Sequence, residues 1–264
     1  MKVVILAGGL GARLREETEF KPKPMVEIGG KPILWHLMKI YASQGFKDFV
    51  ICAGYKNEVI KNYFLNYKSI ENDFTVNLKS GAITIHTNEN DLDWNVTVVD
   101  TGGDTQTGGR LKRIRSYIGN EKFMATYGDG LANIDIKSLI HAHDLNHHDY
   151  EIHATLTAIL SKSRFGEIEW SETDEDSGFI TSFEEKSKTS WINGGFFVFE
   201  PEIFDLISGD SEPLEAGLLS TLTKMHKLGL YKHDQFWASM DDYKETLALN
   251  ALWNTGKAPW KLWS

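Results

Sequence analysis

Apolar residues fill the first seven positions of the chain except for Lys2, in the run MKVVILA. A short run with no polar alternation predicts a strand buried on both faces. The period then changes. Over residues 31–45 apolar side chains recur at Ile33, Leu34, Leu37, Met38 and Tyr41, the spacing of one helix face. Pro32 suits the first turn of that helix and Gly45 its end. DFVICA at 48–53 reads as a second apolar strand and 57–67 as a second helix. Strand and helix alternating in this way imply parallel pairing with a right-handed crossover.

Residues 72–100 carry a different signature. FTVNLK and AITIHT alternate about Ser80 and Gly81, which predicts a hairpin, and WNVTVVD reads as a further strand. TGGRLKRIRSYI reads as one helix, with Thr107 and two glycines at its start. KFMATY is a strand that runs into Gly128, Asp129 and Gly130, and 136–146 is helical. Beyond residue 150 the strands EIHATLTAIL, GFITSF and GGFFVF dominate, with closing helices near 213–227 and 243–254. No repeat, low-complexity segment or long linker interrupts the chain, so the pattern fits one α/β domain with a mixed sheet.

Charge changes the picture in one respect. The chain carries 28 basic against 37 acidic residues, a net charge of -9. That balance argues against a general nucleic-acid partner, so any phosphate site must rest on local cations. The one cysteine, Cys52, lies inside an apolar run and reads as a core hydrophobe in a reducing compartment. No apolar stretch approaches the ~18 residues that span a bilayer. The opening run is too short for a signal peptide. The expectation is a soluble, cytoplasmic protein with no membrane partner.

Candidate chemistry begins with GGLGARL at residues 8–14, directly after the first strand. Glycines let backbone N–H groups approach a ligand, and a basic residue following them suits phosphate. The loop is neither the dinucleotide fingerprint, since Leu14 stands where a third glycine belongs, nor a P-loop, since no Gly-Lys-Ser/Thr follows. A tight strand-to-helix turn explains it equally well. Arg13, Arg15, Lys21 and Lys23 then cluster within eleven positions. Pro22 and Pro24 stiffen the backbone around Lys23, as phosphoryl chemistry requires of a positioned ammonium. Arg15 and Lys21 read better as a solvated loop.

Asp129 closes a strand between two glycines, where open α/β sheets bind ligands. It could reach Mg²⁺, which takes one or two protein carboxylates and completes its shell with phosphate oxygens and water; an Asp-Gly turn is the plainer account. Asp241 and Asp242 supply a second carboxylate, Asp241 as ligand and Asp242 as a helix N-cap. EEKSK at 184–188 and the following INGGFFVF offer Glu185, Lys186, Asn193 and Gly194 to a polar ligand. His141, His143, His147 and His148 read as a solvated helix end, and Trp253, Trp260 and Trp263 as packing near the end of the chain.

Taken in order, GGLGARL, KPKPM, TYGDG, NGGFF and the late MD pair resemble the nucleotidyltransferases that activate sugar phosphates. KPKPMVEIGGKPILWH, VDTGGDTQTGGRLKR, RFGEIE, WINGGFF and LWNTGKAPWKLW are similar, more narrowly, to the branch that couples CTP to glucose 1-phosphate. The resemblance spans essentially the whole chain. It implies a Rossmann-like, mostly parallel sheet, Mg²⁺ as cofactor, CDP-glucose and pyrophosphate as products, a role in polysaccharide biosynthesis, and a homo-oligomer. By position it implies a nucleotide-binding half over about residues 1–135 and a sugar-phosphate half over about 136–264. Leu6, Ala7, Gly8, Gly9, Leu10, Gly11, Ala12 and Arg13 would cradle the nucleotide, with Lys23, Thr107, Gly108, Gly109, Arg110, Tyr127 and Gly128 beside it. Arg13, Lys23 and Asp129 would be catalytic. Asp129 and Asp241 would hold the metal, and Glu185, Lys186, Asn193 and Gly194 the sugar phosphate.

Two positions depart from the family pattern. Ala12 stands where it has threonine, removing a hydroxyl whose hydrogen bond is worth ~0.5–1.5 kcal/mol. Ser187 stands where it has proline. The same chemistry with another base or another phosphorylated acceptor, or a non-catalytic sensor of sugar nucleotides, are the alternatives that these departures leave open.

Overall fold

A computed structural model describes residues 1–86, 92–162, 167–174, 177–184 and 189–263. Seven strands form the central sheet: β1 Val3–Ala7, β2 Asp48–Ala53, β3 Asn95–Asp100, β4 Phe123–Tyr127, β5 Ala154–Lys162, β6 Thr189–Phe199 and β7 Leu228–His233. Their spatial order is β7-β5-β6-β4-β1-β2-β3. β6 runs antiparallel to both of its neighbours, β5 and β4. The remaining pairs in this sheet are parallel. The principal helices are α1 Ile33–Ala42, α2 Asn57–Leu65, α3 Thr107–Arg113, α4 Ile136–Tyr150 and α5 Tyr243–Asn254.

β1 shows why its sequence has no polar face. Val3, Ile5 and Ala7 enter one core, shared with Leu34, Leu37 and Trp260, while Val4 and Leu6 enter the other with Leu111 and Phe204. Successive strand side chains point to opposite faces, so a strand covered on both sides must be apolar at every position. The closing tryptophans pack as expected: Trp260 is fully buried, and Trp253 and Trp263 ring the buried His36. No helix among the described residues is long and apolar enough to cross a membrane.

Three local expectations are corrected. The stretch read as one helix from Thr107 breaks at Ile114 (φ -96, ψ 5), and a separate turn follows at Arg115–Ile118. The segment near 213–227 opens as a π-helical turn, Leu214–Leu219, before the short helix Ser220–Lys224. His143 is not solvated. It lies fully buried on α4, with Nδ1 at 3.0 Å from Thr155 Oγ1 and Nε2 at 3.1 Å from Glu200 Oε1. A buried ring needs a partner at each nitrogen, and β5 and the end of β6 provide them.

The hairpin expected about Ser80 and Gly81 is present, pairing Asp73–Val76 with Ile83–His86. It projects from the body with Phe74, Val76, Leu78 and Ile83 exposed.

Candidate active site

The carboxyl ends of β1 and β4 open into a cleft of about 760 Å³. The glycine loop forms one wall. Gly11 sits at φ +63, where a side chain is strained, and a Cβ there would press on Thr18 and Lys23. Thr18 Oγ1 donates to Gly11 O at 3.1 Å and to Leu14 O at 3.0 Å, locking the far end of the loop. At the near end, Gly8 O accepts from Tyr55 N at 3.1 Å and from an Arg110 guanidinium nitrogen at 3.0 Å. Gly9 has open space around its Cα. The loop is therefore held at both ends and accessible in the middle.

Lys23 starts a single 3₁₀ turn, Lys23–Met25, closed by Met25 N donating to Pro22 O at 2.8 Å. Pro24 packs on Gly128, where a Cβ would meet it at 2.9 Å, so strand β4 and the lysine segment lock together. The Lys23 ammonium then lies 2.6 Å from Asp129 Oδ2 and 2.8 Å from Asp241 Oδ1. Arg13 stands further out, 3.7 Å from Asp241 Oδ2, with an exposed side chain.

The two aspartates meet through backbone pairing. Gly130–Ala132 pairs with Trp237–Ser239, and Met240 N donates to Asp129 O at 2.9 Å. This ribbon sets Asp129 and Asp241 side by side. Asp242 caps α5 in a capping box with Glu245: the Asp242 side chain accepts from Glu245 N at 2.8 Å, and Glu245 Oε2 accepts from Asp242 N at 3.3 Å and Asp241 N at 2.6 Å. Substituting Asp242 with alanine is expected to cost about 1 kcal/mol of stability. Urea denaturation would measure it, and an unchanged midpoint would refute the capping role.

The charges are mutually adjusted. Partial burial works against a charged Lys23, but Asp129 and Asp241 outweigh it and hold the lysine above its ordinary value. Burial likewise pushes the Asp241 carboxyl up, and the hydrogen bond and charge of Lys23, with Ser239 and Arg13, bring it below the ordinary range.

Arg110 crosses behind the cleft. It is 3% exposed, and its two terminal nitrogens reach Ala53 O, Thr101 Oγ1, Gly102 O, Gly8 O and Gly103 O at 2.7–3.4 Å. It thereby ties the glycine loop to the loop after β3, and its edge lines the cleft. Gly103, Asp104, Thr105 and Gln106 line the same wall; they fall within the stretch VDTGGDTQTGGRLKR that carries the family resemblance, although none of them is assigned a role from it.

The positions named from the sequence distribute as follows. Leu6, Ala7, Gly8, Gly9, Leu10, Gly11, Ala12, Arg13, Lys23, Thr107, Arg110, Tyr127, Gly128, Asp129 and Asp241 all line the cleft. Gly108 and Gly109 lie off it. They allow α3 to pack against the backbone of Glu212 and Asp210, where a Cβ would come within 2.8 and 2.5 Å. Asn193 and Gly194 lie on β6 beside Tyr127, at a break in register opposite Leu156 and Ala158. Glu185 and Lys186 lie outside the described residues.

A family model described as nucleotidyl transferase matches residues 2–254 of the chain. The chain is 48% identical to a glucose-1-phosphate cytidylyltransferase of Salmonella typhi over 266 aligned residues, covering 100% of both proteins. It is 43% identical to a probable glucose-1-phosphate cytidylyltransferase of Bacillus subtilis, again over 100% of both. The fold superposes on HddC from Yersinia pseudotuberculosis, solved with GMP-PN, with a TM-score of 0.67, 23% identity, and coverage of 96% of this chain and 99% of that one.

Proposed function

The chain belongs to the nucleotidyl transferase family, and from that premise we propose that it transfers the cytidylyl group of CTP to glucose 1-phosphate, giving CDP-glucose and pyrophosphate. The observation that carries this reading is the joining of Lys23, Asp129 and Asp241 at the floor of a glycine-walled cleft. The full-length identity to cytidylyltransferases supports the base and the sugar.

Mg²⁺ fits the donor set. One ammonium touches both carboxylates, so Asp129 and Asp241 converge on a common point. Two carboxylates leave the remaining positions of an octahedral shell to phosphate oxygens and water. When bound there, the ion would draw charge from the phosphates and the leaving group.

A phosphate monoester is largely dianionic at neutral pH, with a second pKa near ~6, so the acceptor needs no general base. One acceptor phosphate oxygen forms a bond to the α-phosphorus of CTP. The bond from that phosphorus to the bridging oxygen breaks, and pyrophosphate leaves with the electron pair. The protein's task is to bring two anions together and to stabilise the charge gathering on the departing oxygens. Lys23 supplies a positioned cation at the carboxylate pair and Arg13 an exposed one further out. The backbone of the glycine loop holds the nucleotide phosphates. Asn193 and Gly194, with Glu185 and Lys186, receive the sugar phosphate.

The one thiol, Cys52, is buried in the core, and we place the enzyme in the cytoplasm. The exposed apolar side of the Asp73–Val76 and Ile83–His86 hairpin is the surface on which a homo-oligomer would assemble.

The test is pyrophosphate release over a grid of nucleoside triphosphates and sugar 1-phosphates, with Mg²⁺ or with EDTA. Turnover is expected with CTP and glucose 1-phosphate, and its loss on chelation. A different productive pair would move the substrate and keep the chemistry. A folded protein silent across the grid would overturn the enzyme reading.

A further inference from the structure

Glu215 appears in none of the motifs above. It lies on the π-helical turn Leu214–Leu219, a geometry rare enough to mark a function when it occurs beside a cleft. Its Oε1 accepts a hydrogen bond from the hydroxyl of Tyr127, which lines the cleft at the end of β4.

The half-buried tyrosine is packed on the sides away from the cleft. Its ring stands edge-on to Phe197 at 5.7 Å. Gly195, at φ +79, presses against it so closely that a Cβ would come within 2.6 Å of the ring. The Asn193 side chain lies next to the same phenol, and its Oδ1 accepts from Gly195 N at 2.9 Å. This packing coincides with the break in register of β6 against β5: extra β6 residues lie between the pair Asn193 and Ala158 and the pair Phe197 and Leu156, and among them Gly195 meets Tyr127. Gly194 O accepts from Trp237 Nε1 at 2.8 Å, which ties the bulge to the ribbon that sets Asp129 and Asp241.

The turn that carries Glu215 is anchored from the opposite wall. Leu214 N donates to Thr107 Oγ1 at 2.8 Å, Gln106 N donates to Asp210 O at 2.8 Å, and Arg113 forks onto the Asp210 carboxylate. Adjacent residues, Leu214 and Glu215, thus reach the two sides of the cleft.

We propose that Glu215 is a positioning residue for the acceptor: by holding the Tyr127 hydroxyl it keeps the ring against the bulge at Asn193 and fixes the shape of the pocket that receives the sugar phosphate. This rests on the proposed assignment of Asn193 to the acceptor. A carboxylate is the suitable partner because a hydrogen bond to an ionised group is stronger than one between neutral groups. Glu215 reaches the cleft through its contact with Tyr127, whose side chain is part of the cleft lining.

Steady-state kinetics on the full-length protein test the idea, with each substrate varied in turn. Glu215→Ala is expected to raise the KM for the sugar 1-phosphate about three- to tenfold, the range of one hydrogen bond, with the KM for the nucleotide unchanged. Tyr127→Phe should raise the acceptor KM to the same extent, and the double variant should raise it no further than either single one, because both remove the same contact. Glu215→Gln, which keeps an acceptor oxygen, should recover most of the loss. A structural role alone would lower thermal stability without separating the two KM values. Asn193→Ala separates the two levels of failure. If it raises the acceptor KM and Glu215→Ala does not, the positioning role is wrong; if neither moves it, the assignment of the acceptor pocket falls with it.

Discussion

Lys23→Met is expected to lower kcat by about two to three orders of magnitude while leaving a folded protein. The magnitude is that of removing one preorganised charge from a site where charge develops in the transition state. Methionine keeps the length and the apolar stem, so the 3₁₀ turn and the contact of Pro24 with Gly128 should survive. What disappears is the one cation shared between Asp129 and Asp241. The two carboxylates then lose the cation they share, and because both are partly exposed, water, solution cations and the nearby Arg13 can relieve much of the repulsion. A melting temperature that falls in EDTA and recovers in Mg²⁺ would show this directly. Pyrophosphate release is the activity measurement, and turnover within tenfold of the parent would remove Lys23 from the mechanism.

Arg110→Met is expected to destabilise the protein by about 2–4 kcal/mol and to weaken nucleotide binding as well. The guanidinium is buried, and burial is the main influence holding its pKa below the ordinary arginine value. Its five acceptors among the described residues are neutral oxygens from two loops and the end of β2. Removing it leaves several buried acceptors without a donor, each costing about 1–3 kcal/mol before water enters from the cleft. Gly8 would keep its bond from Tyr55 N but lose the one from Arg110, and the glycine loop would lose its link to the loop after β3. Arg110→Lys should not rescue, since one ammonium cannot span acceptors that a planar fork reaches on both edges. Thermal melting and calorimetric titration with CTP would report the two effects. An unchanged melting temperature would refute the clamp.

Both residues show what can be read from a linear pattern. Lys23 is conspicuous because two prolines flank it in an acidic chain. Arg110 was named on the nucleotide side from resemblance, yet its clamp could not have been seen. Its partners are mostly backbone carbonyls, which every residue type carries, so no sequence signal marks them. Glu215 is hidden for a related reason: among the described residues its side chain links to Tyr127, 88 positions away, and nothing near it in sequence repeats or clusters. The aspartates were named individually, but their convergence with Lys23 joins residues 106 and 218 positions apart. Charges that distant in an unfolded chain are screened by solvent and separated by the entropy of a long loop, so they cannot recruit each other.

The hydrophobic period by itself determined most of the principal elements and their order, but it did not mark β7, Leu228–His233, which lies at one edge of the sheet. β2 and α5 match the pattern to the residue, because each is bounded by residues that state its ends: Gly54 after the strand, and Asp242 as the cap of the helix. The period also determined that β1 is covered on both faces and therefore central. Tertiary structure decided the rest. It broke the helix at Ile114, wound 214–219 as a π turn, buried His143 between Thr155 and Glu200, and set Asp129 beside Asp241 through the ribbon of residues 130–132 and 237–239. Periodicity reports which side of an element faces a core. It carries no information on which distant backbone oxygen or carboxylate will stand opposite a given side chain, and the chemistry of this cleft depends on those pairings.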